Sequence, residues 1–310
     1  MSRTSLLLIA AAVSIAAVGL VLSGAGGVRT IRNGLVFYAG RAEGCSLEQA
    51  LHPVNERVRP ILKQVVAQIK PIESVDGLVR WDTPMGDWWA PDFDGLSYVM
   101  AEQSLDTYNL SEEGLGPDSV VVDAGANVGM FARRALDSGV GLVVAVDPSP
   151  KNARALRLNF EEEIRTGRVI VVEKGLWHEP DVLPMFIYDN SALDSMVMAE
   201  RGESSGKPRR VEVPLETLDA IVADLGLDRV DFIKMDVEGA ERNAIRGAVQ
   251  TIRRHRPILT IAAENLPDDV RVIPQEVAAA VSDYQMHSGE CRVIDRFLIR
   301  PEALHFRPTQ

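Results

Sequence analysis

The sequence is poor in the residues that bind soft metal ions. Its 310 residues include only two cysteines, Cys45 and Cys291, and these lie far apart in the chain. Because no Cys-x-x-Cys pair is present, neither a zinc site nor a dithiol redox pair is indicated. The five histidines also lack the spacing of metal ligands. We therefore predict no bound metal.

An excess of positive charge is also missing. The formal net charge is −11 and the sequence pI is about 5.0. A nucleic-acid-binding face needs clustered lysine and arginine, and the most obvious basic cluster, residues 207–210, lies in the Gly/Ser-rich stretch 200–210. We expect that stretch to be a solvated loop, and we predict no nucleic-acid partner.

Two signatures of nucleotide binding are missing as well. A dinucleotide fingerprint requires Gly-x-Gly-x-x-Gly, but Asn127 stands where the middle glycine would follow Gly125. No Gly-Lys-Ser/Thr phosphate loop is present. Neither Tyr188 nor Tyr284 has a lysine four residues further on, so a Tyr-x-x-x-Lys catalytic pair is lacking. These absences argue against a nicotinamide-dependent oxidoreductase.

The N-terminal region contains a long uncharged apolar run, LLLIAAAVSIAAVGLVL, at residues 6–22. With its small flanking residues, the run is long enough as a helix to span a bilayer. We interpret residues 1–25 as a single-pass membrane anchor. A signal peptide cleaved near Ser23 and Ala25 is the alternative, which the length of the run disfavours. One arginine precedes the run and three follow it, which favours a cytoplasmic location for the rest of the chain.

Residues 26–94 are predicted to form a linker and a small α/β cap. The Gly/Arg-rich residues 25–45 are typical of a juxtamembrane linker. Residues 46–70 carry apolar residues at helical spacing, and we expect the prolines at positions 53 and 60 to break the helix. Residues 77–93 are typical of two short strands around a turn, and residues 95–110 of a helix.

From residue 119 onward, apolar strands alternate with amphipathic helices. Continuous apolar strands between helices indicate a parallel sheet that is covered on both faces, and right-handed crossovers make it doubly wound and Rossmann-like. We predict one α/β domain over residues 95–310, with an irregular stretch between 174 and 215 and two extended pieces near 290–299 and 302–307. The predicted strands are 119–123, 142–147, 168–173, 230–236 and 257–263, and the predicted helices are 128–138, 150–165, 215–225 and 238–254.

Acidic and small residues follow the first two of these strands. In an open parallel sheet, ligands bind at the carboxyl ends of the strands. Gly125 and Gly129 permit close backbone approach there, and the next helix offers its N-terminal N–H groups. Asp123 would repel a pyrophosphate but suits an amino group, and Asp147 suits a ribose diol. An adenosine that carries an amino acid satisfies both acids, which predicts S-adenosylmethionine.

Four motifs occur in one order along the chain: VVVDAGANVGMFARRAL, VDPSPKNARALRLN, VPLETLDAIV and FIKMDVEGAERNAIRGA. In this combination the sequence resembles the FkbM family of S-adenosylmethionine-dependent methyltransferases, over roughly residues 95–265. The resemblance implies the class I methyltransferase type of Rossmann-like fold and S-adenosylmethionine as methyl donor.

The resemblance also implies a cofactor site. Most residues of this cofactor site belong to the glycine-containing loop and to the turn after the second strand. The Lys174–Gly175 pair departs from the family's usual Asn-Ala beside the adenine. The predicted cofactor-binding residues are Asp123, Gly125, Ala126, Asn127, Gly129, Asp147, Pro148, Asn152, Lys174, Gly175 and Asp236.

Two carboxylates are candidates for catalysis. Asp236 resembles the acid of the fourth motif, close to the sulfonium and the acceptor, and we predict it as catalytic base ahead of Glu264. Glu238 and Glu241 belong to the same signature, but acids are also favoured where a helix begins, so a structural role stays open. Enzymes like catechol O-methyltransferase hold magnesium with comparable residues, and Asp236, Glu264 and Asn265 could mimic that set; we still predict no metal.

Other polar and aromatic residues have weaker claims to a role in the site. His178 follows the third strand, and we expect it at the surface or in packing rather than as a base. Asp194 and Ser195 lie in a segment that resembles a family loop and could touch the cofactor or acceptor. Tryptophans 81, 88 and 89 are expected to pack the cap rather than bind a sugar.

These features predict a membrane-anchored methyltransferase with a cytoplasmic catalytic domain, because the methyl donor is made in the cytoplasm. The element Asp/Asn-Pro-Pro-Tyr/Phe, which is typical of nucleic-acid amino methylation, is absent. We therefore expect O-methylation of a hydroxyl on a glycan, a lipid-linked molecule or a small molecule at the membrane. The alternative is a catalytically inactive, membrane-tethered scaffold that binds the cofactor. The sequence leaves the oligomeric state open.

Overall fold

The structure is a computed structural model that describes residues 27–188 and 209–309. No helix within these two ranges is long and apolar enough to cross a membrane. Three features of the sequence lie wholly or mostly outside the described residues: the predicted anchor 1–25, the pair Asp194–Ser195 and the basic stretch 200–210.

Seven strands form the central sheet. In spatial order they are β12 (Tyr284–Ser288), β15 (Ala303–Pro308), β11 (Ile258–Ala262), β10 (Phe232–Met235), β4 (Val120–Ala124), β5 (Leu142–Val146) and β6 (Val169–Val172). From β11 to β6 every neighbouring pair is parallel, whereas β15 is antiparallel to both of its neighbours. The direction of winding changes between β4 and β10. The predicted doubly wound, mainly parallel sheet is confirmed.

Both faces of this sheet are covered, which is why β4 and β10 are buried at every position. Successive side chains of a strand point to opposite faces. Val121 accordingly packs in one core with Phe131 and Leu156, and Val122 packs in a second core with Ile245. The covering helices are α5 (Met130–Asp137), α6 (Pro150–Asn159), α7 (Glu161–Arg165), α8 (Leu218–Asp224), α9 (Glu241–Arg246), α10 (Val249–His255) and α11 (Asp269–Ala280).

Two predicted helices are each divided in the structure. The helix expected over 150–165 is interrupted at Phe160, which separates α6 from α7. The helix expected over 238–254 begins later, and a break at Gly247 separates α9 from α10. A Cβ atom on Gly247 would lie 2.0 Å from the carbonyl oxygen of Trp177. The chain turns here against a neighbouring backbone, and the turn leaves no room for a side chain.

The cap begins with helices and ends with a small antiparallel sheet. Its elements are α1 (27–38), α2 (Leu47–Leu51), α3 (Val54–Gln68), β1 (Lys70–Val75), β2 (Leu78–Thr83) and β3 (Gly86–Ala90). Helix α1 corrects the prediction of a linker over 25–45. Pro60 lies inside α3 without ending it, so the expected break there was wrong. The burial of Val58 and Val65 on either side of Pro60 stabilises the helix.

The stretch predicted as irregular between 174 and 215 contains a second three-stranded sheet. It is formed by β7 (Gly175–Leu176), β8 (Asp181–Ile187) and β9 (Arg209–Glu216), with β9 in the middle. Val213 and Leu215 of β9 are buried, in alternation with more exposed neighbours. This alternation is the strand signal that the sequence analysis overlooked.

The C-terminal part differs most from expectation. No element was predicted for the segment that forms α11 and β12. The extended piece predicted near 290–299 is part of a hairpin of β13 (Cys291–Asp295) and β14 (Leu298–Pro301). A disulfide between Cys45 and Cys291 ties this hairpin to the segment between α1 and α2. The two cysteines therefore form a pair that their separation in the sequence did not indicate. Helix α4 (Phe93–Gln103) leads from the cap into the domain.

Candidate active site

A cleft opens at the carboxyl ends of β4, β5 and β10, where the winding of the sheet changes direction. It encloses about 820 Å³ of space, part of it open to solvent. Ligands bind at this position in doubly wound sheets. Residues of α4 and of the loop after it border one part of the cleft, and Leu176 and Met185 border another.

Most of the predicted cofactor-binding residues border this cleft. The structure brings together Gly125, Ala126, Asn127, Asp147, Pro148, Asn152, Lys174, Gly175 and Asp236. Asp123 and Gly129 are not among the lining residues. A Cβ atom on Gly129 would lie 2.2 Å from the ring of Phe160, and the φ angle of Gly129 is +96°. Gly129 therefore serves the packing of the loop on α6.

Asp147, at the end of β5, organises the polar side of the cleft. Its Oδ2 accepts a 2.8 Å hydrogen bond from the backbone N–H of Asn127, and its Oδ1 accepts bonds from the Ser149 N–H at 2.9 Å and the Asn152 amide at 3.3 Å. Burial raises the pKa of Asp147 to about 6, although these donors favour the ionised form. Three donors leave room for about one more on a carboxylate.

The polar atoms beside Asp147 fit a ribose diol. Oδ1 of Asn152 is buried and makes no hydrogen bond to any described residue. One hydroxyl can donate to Asp147 and its neighbour to Asn152. The apolar side chains of Leu176, Met185 and Val146 border the same cleft and provide the kind of surface on which a purine packs. The residues present therefore fit the adenosine of S-adenosylmethionine.

Gly125 lies where the loop after β4 meets the loop after β10. Its φ angle is +76°, and a Cβ atom there would lie 1.8 Å from the carbonyl oxygen of Asp236. No side chain can occupy that space without displacing one of the two loops. Glycine at this position thus allows the loop after β4 to pack directly against the loop after β10.

Asp123 faces a lysine rather than the cleft. It is completely buried, and its Oδ1 lies 3.2 Å from Nζ of Lys234, which is also buried. The two residues are direct neighbours across β4 and β10. Nζ also donates to the carbonyl oxygens of Gly125 at 2.7 Å and Ala124 at 3.3 Å. Burial alone would lower the pKa of Lys234, but the charges of Asp123 and Asp236 raise it by more than burial lowers it. The lysine therefore stays charged.

Asp236 follows β10 and borders the cleft on the other side of β4 from Asp147. Its Oδ2 accepts a 2.8 Å hydrogen bond from the hydroxyl of Tyr108. Its Oδ1 makes no hydrogen bond to the described parts of the chain, and its backbone N–H donates to Ala124 at 3.0 Å. One oxygen of the carboxylate is therefore fixed, and the other remains available to a ligand.

A group of acids lies beyond Asp236, around one arginine of β13. Arg292 forms ion pairs with Glu102 of α4 and with Glu302, and its guanidinium lies 5.6 Å from the ring centre of Tyr98. Burial raises the pKa of Glu102 and of Glu264, while the charge of Arg292 opposes the rise. Two carboxylates, Glu102 and Glu302, therefore share this guanidinium at the end of the cleft near α4.

The family of the chain follows from its sequence and agrees with this geometry. The methyltransferase FkbM domain profile matches residues 123–287, which is more than half of the chain. The chain belongs to the FkbM methyltransferase family. Family membership makes S-adenosylmethionine the methyl donor, as the residues of the cleft predicted.

Similar proteins include one methyltransferase from Sordaria araneosa and one from Streptomyces tacrolimicus. Methyltransferase sdnD of Sordaria araneosa is 27% identical, and the match covers 41% of this chain and 59% of that protein. The 31-O-demethyl-FK506 methyltransferase FkbM of Streptomyces tacrolimicus is 26% identical, with 43% and 60% covered. This chain thus spans about three-fifths of the length of these curated relatives. Among solved structures, methyltransferase FkbM of Methylobacillus flagellatus KT matches with a TM-score of 0.46 at 18% identity, over 81% of this chain and 59% of that chain.

The magnesium site considered for Asp236, Glu264 and Asn265 is not formed by the described residues of this FkbM methyltransferase. No group of three acidic, histidine or cysteine side chains in the described ranges is placed to hold a metal ion. The amide of Asn265 instead donates to Glu241 at 3.0 Å. Glu264 is half-buried and does not border the cleft, although Asp236 lies near enough to raise its pKa.

Glu241 has a structural role in the Asp236 loop. It is completely buried, and its Oε1 accepts the N–H groups of Val237 at 3.0 Å and Gly239 at 3.2 Å. It therefore fixes the turn between β10 and α9. Glu238 borders the cleft at a φ angle of +55°, a backbone conformation that is uncommon for residues other than glycine.

His178 and the three tryptophans of the cap are not among the described residues that border the cleft. His178 is exposed and lies 3.4 Å from Glu179. Trp88 is buried edge-on against Phe160, with ring centres 5.9 Å apart, and the backbone of Trp89 exchanges hydrogen bonds with the side chain of Asn159 on α6. These contacts join the cap to the domain, which agrees with the predicted packing role of the tryptophans.

Several site residues escaped the sequence analysis. Lys234 could have been found, because residues two apart on a strand point to the same face and Lys234 precedes Asp236 by two. Nothing in the sequence indicates that residues from α4 and from a distant hairpin reach the same cleft edge. The cleft-lining residues missed in this way are Glu102, Gln103 and Tyr108. Arg292, which pairs with Glu102 but does not line the cleft, was also missed.

Proposed function

We propose that this chain is an S-adenosylmethionine-dependent O-methyltransferase that acts on a hydroxyl of a glycan, lipid-linked or small-molecule acceptor at the membrane. One observation carries the proposal. The carboxylate of Asp236 borders the cleft with one oxygen held by Tyr108 and the other free of hydrogen bonds to the described residues. A carboxylate in that state can accept the proton of a hydroxyl.

Residues on the β5 side of the cleft position the methyl donor. Asp147 and Asn152 hold the ribose hydroxyls, and Leu176 and Met185 pack on the adenine. When bound, S-adenosylmethionine supplies an activated methyl group on its sulfonium. The task of the protein is then alignment and the exclusion of water.

Asp236 removes the proton of the acceptor hydroxyl. Oδ1 of Asp236 would take up the proton of the acceptor hydroxyl, and bound S-adenosylmethionine would supply the methyl group. Tyr108 holds the carboxylate in one orientation during this transfer. Glu264 is the second candidate base, although it is not among the residues that border the cleft.

Oxygen is favoured over a nucleic-acid amino group as the methyl acceptor. Asp236 is followed by Val237 and Glu238, so the Asp/Asn-Pro-Pro-Tyr/Phe element of amino methylation is absent. The acidic end of the cleft and the net charge of −11 also oppose an anionic polymer.

The membrane anchor at residues 1–25 and the cytoplasmic location of the catalytic domain are part of the same proposal. The apolar run and the arginines after it support both, and the methyl donor is made in the cytoplasm. The Cys45–Cys291 disulfide bears on the same question, because disulfides are rare in the reducing cytoplasm. A reporter fused to the C-terminus decides the point: activity of a reporter that folds only outside the cytoplasm would contradict the proposal.

Calorimetric titration of the full chain with S-adenosylmethionine tests the cofactor site. We expect micromolar binding, no binding of NADH, and at least about tenfold weaker binding by Asp147→Ala, since a buried acceptor of hydroxyl hydrogen bonds is lost. Asp137→Ala, at an exposed residue of α5, is the matched control and should bind normally. An Asp147→Ala variant that binds as tightly as the wild type would refute the assignment.

Asp236→Ala tests the chemistry. We expect normal cofactor binding and a loss of methyl transfer of about 100-fold or more, the usual contribution of a general base. Full turnover by this variant would exclude Asp236 as the base. Cofactor binding without turnover in the wild type, across neutral, lipid-linked and glycan acceptors, would instead favour the inactive scaffold.

A further inference from the structure

The part of the cleft near α4 is not used by the adenosine side of the site. It is bordered by Val99, Glu102 and Gln103 of α4, by Tyr108, and by Asp236 and Glu238 of the loop after β10. We call these six residues the acceptor subsite. Asp236, the proposed base, is one of them, so a molecule placed here can present a hydroxyl to it.

Gln103 is an unusual residue at this position. It is only 8% exposed and borders the cleft. Its backbone carbonyl accepts a hydrogen bond from Arg134, but its side-chain amide makes no hydrogen bond to any described residue. Its amide atoms are not among the fully buried polar atoms that lack a partner, so they are accessible to a molecule in the cleft. This amide therefore offers two N–H donors and one carbonyl acceptor to a molecule in the cleft.

Charge around the acceptor subsite disfavours an anionic acceptor. Asp236 and Glu238 border it, while Glu102 is paired with Arg292. Among the described residues nearby, Lys234 is paired with Asp123, and Arg292 also pairs with Glu302. A carboxylate or phosphate beside the reacting hydroxyl would meet like charges without a free counter-ion.

The same acids disfavour an amine as acceptor. An ammonium group would pair with the carboxylates, but its nitrogen has no lone pair until the proton leaves. A neighbouring negative charge raises the pKa of an ammonium group and keeps it protonated. An uncharged hydroxyl has no such obstacle, because it can donate to Asp236 and still attack through its oxygen.

We propose that Gln103 determines acceptor specificity, by hydrogen-bonding a second hydroxyl of an uncharged, polyhydroxylated acceptor whose first hydroxyl is held by Asp236. A sugar ring carries neighbouring hydroxyls that could meet both residues. The proposal rests on the proposed methyltransferase function and adds the chemical class of the acceptor to it.

Three matched probes test the selection by charge: the methyl glycosides of glucose, glucuronic acid and glucosamine. Each is titrated into the full chain saturated with S-adenosylhomocysteine, and binding is measured by ligand-observed NMR at low salt. We expect methyl glucoside to bind, and the glucuronide to bind at least about tenfold more weakly because of like-charge repulsion. The glucosaminide can bind through pairing of its ammonium group with the carboxylates. Tighter binding of the glucuronide than of the glucoside would overturn the proposal, as would no binding of any of the three.

Two glutamine-to-leucine variants, one in the cleft and one on the surface, test the role of Gln103. Gln103→Leu should weaken methyl glucoside binding about fivefold, the usual effect of one lost hydrogen bond, and leave the affinity for S-adenosylhomocysteine unchanged. Gln64→Leu, on the exposed surface of α3, should change neither. An unchanged glucoside affinity in Gln103→Leu would exclude the role. Failure to bind S-adenosylhomocysteine in the wild type would instead contradict the methyltransferase function itself, so the two failures are distinct.

Discussion

The hydroxyl of Tyr108 donates a 2.8 Å hydrogen bond to Oδ2 of Asp236. Tyr108 lies after α4, and its ring packs edge-on against Phe131 with centres 5.6 Å apart. Its backbone carbonyl also accepts a 3.3 Å hydrogen bond from the hydroxyl of Thr260 on β11. These three contacts fix Tyr108, so the segment after α4 determines how the carboxylate of Asp236 is oriented.

Removal of the Tyr108 hydroxyl should reduce catalysis without affecting the cofactor. For Tyr108→Phe we expect a roughly tenfold lower kcat for methyl transfer, since a misplaced base loses part of its contribution. The measurements are release of S-adenosylhomocysteine with methyl glucoside as acceptor, and calorimetry with S-adenosylmethionine.

Tyr38→Phe is the matched control, since Tyr38 is 76% exposed on α1 and removal of its hydroxyl touches nothing in the cleft. It should behave as the wild type. An unchanged kcat in Tyr108→Phe would mean that Tyr108 acts through the packing of its ring alone.

Alanine at Gly125 should damage both binding and stability. Gly125 and Gly139 share a positive φ angle, +76° and +93°, but a Cβ atom at Gly139 would meet nothing within 4 Å. Both variants bear the cost of a left-handed residue, about 1–2 kcal/mol. Only Gly125→Ala must also move the carbonyl of Asp236. We expect Gly139→Ala to keep full cofactor affinity and Gly125→Ala to lose at least about tenfold, as measured by calorimetry and thermal melts.

The affinity for the adenosine part of the donor should fall at acid pH. Burial raises the pKa of Asp147 to about 6, and a protonated carboxyl accepts ribose hydrogen bonds poorly. Adenosine is a suitable probe because it stays uncharged between pH 5 and 8. We expect its affinity to drop about fivefold from pH 7 to pH 5 in the wild type. The Asp147→Asn variant should bind weakly at every pH in this range; a persisting pH dependence there would place the titrating group elsewhere.

Glu241 should make the stability of the protein depend on pH. Burial raises its pKa to about 7 from an ordinary 4.5, and the N–H of Gly239 only partly opposes this rise. Because the folded-state value is the higher one, the carboxyl stabilises the fold fully below about pH 4.5, and this contribution is lost as the pH rises through 7.

Relative to the wild type, Glu241→Gln should therefore gain unfolding free energy as the pH rises from 5 to 8. The gain is about 2–3 kcal/mol at roughly 1.4 kcal/mol per pKa unit. Urea denaturation at both pH values measures it. Glu161→Gln, at an exposed position of α7, should show no trend, and an absent trend in Glu241→Gln would mean that the carboxyl is solvated.

The central sheet and the cofactor half of the site were predictable because their signals are local. Asp147 ends an apolar strand, and Gly125 follows one, so their place at the cleft edge depends only on strand direction. The prediction of Asp123 as a cofactor ligand rested on the same logic. The structure shows that the strand partner, Lys234, occupies the position of the expected cation.

The acceptor half was not predictable because tertiary packing creates it. Gln103 and Tyr108 belong to α4 and its following loop, and Arg292 to a hairpin near the other end of the chain. Their convergence depends on how the cap docks, which no periodicity encodes. The Cys45–Cys291 pair escaped for the same reason: only the folded chain brings positions 246 residues apart within disulfide distance.

Loss of that disulfide should destabilise the protein while sparing the cofactor site. Cross-linking residues 246 apart restricts the unfolded chain by up to about 5 kcal/mol in the chain-entropy treatment. We expect the Cys45→Ser/Cys291→Ser variant to lose about 3–5 kcal/mol of unfolding free energy in urea and to retain its affinity for S-adenosylhomocysteine, because Asp147 and Asn152 lie on other elements. Dithiothreitol should destabilise the wild type by the same amount and the variant not at all. A wild-type protein that is indifferent to dithiothreitol would carry two free thiols in solution, and the disulfide would then no longer oppose a cytoplasmic location.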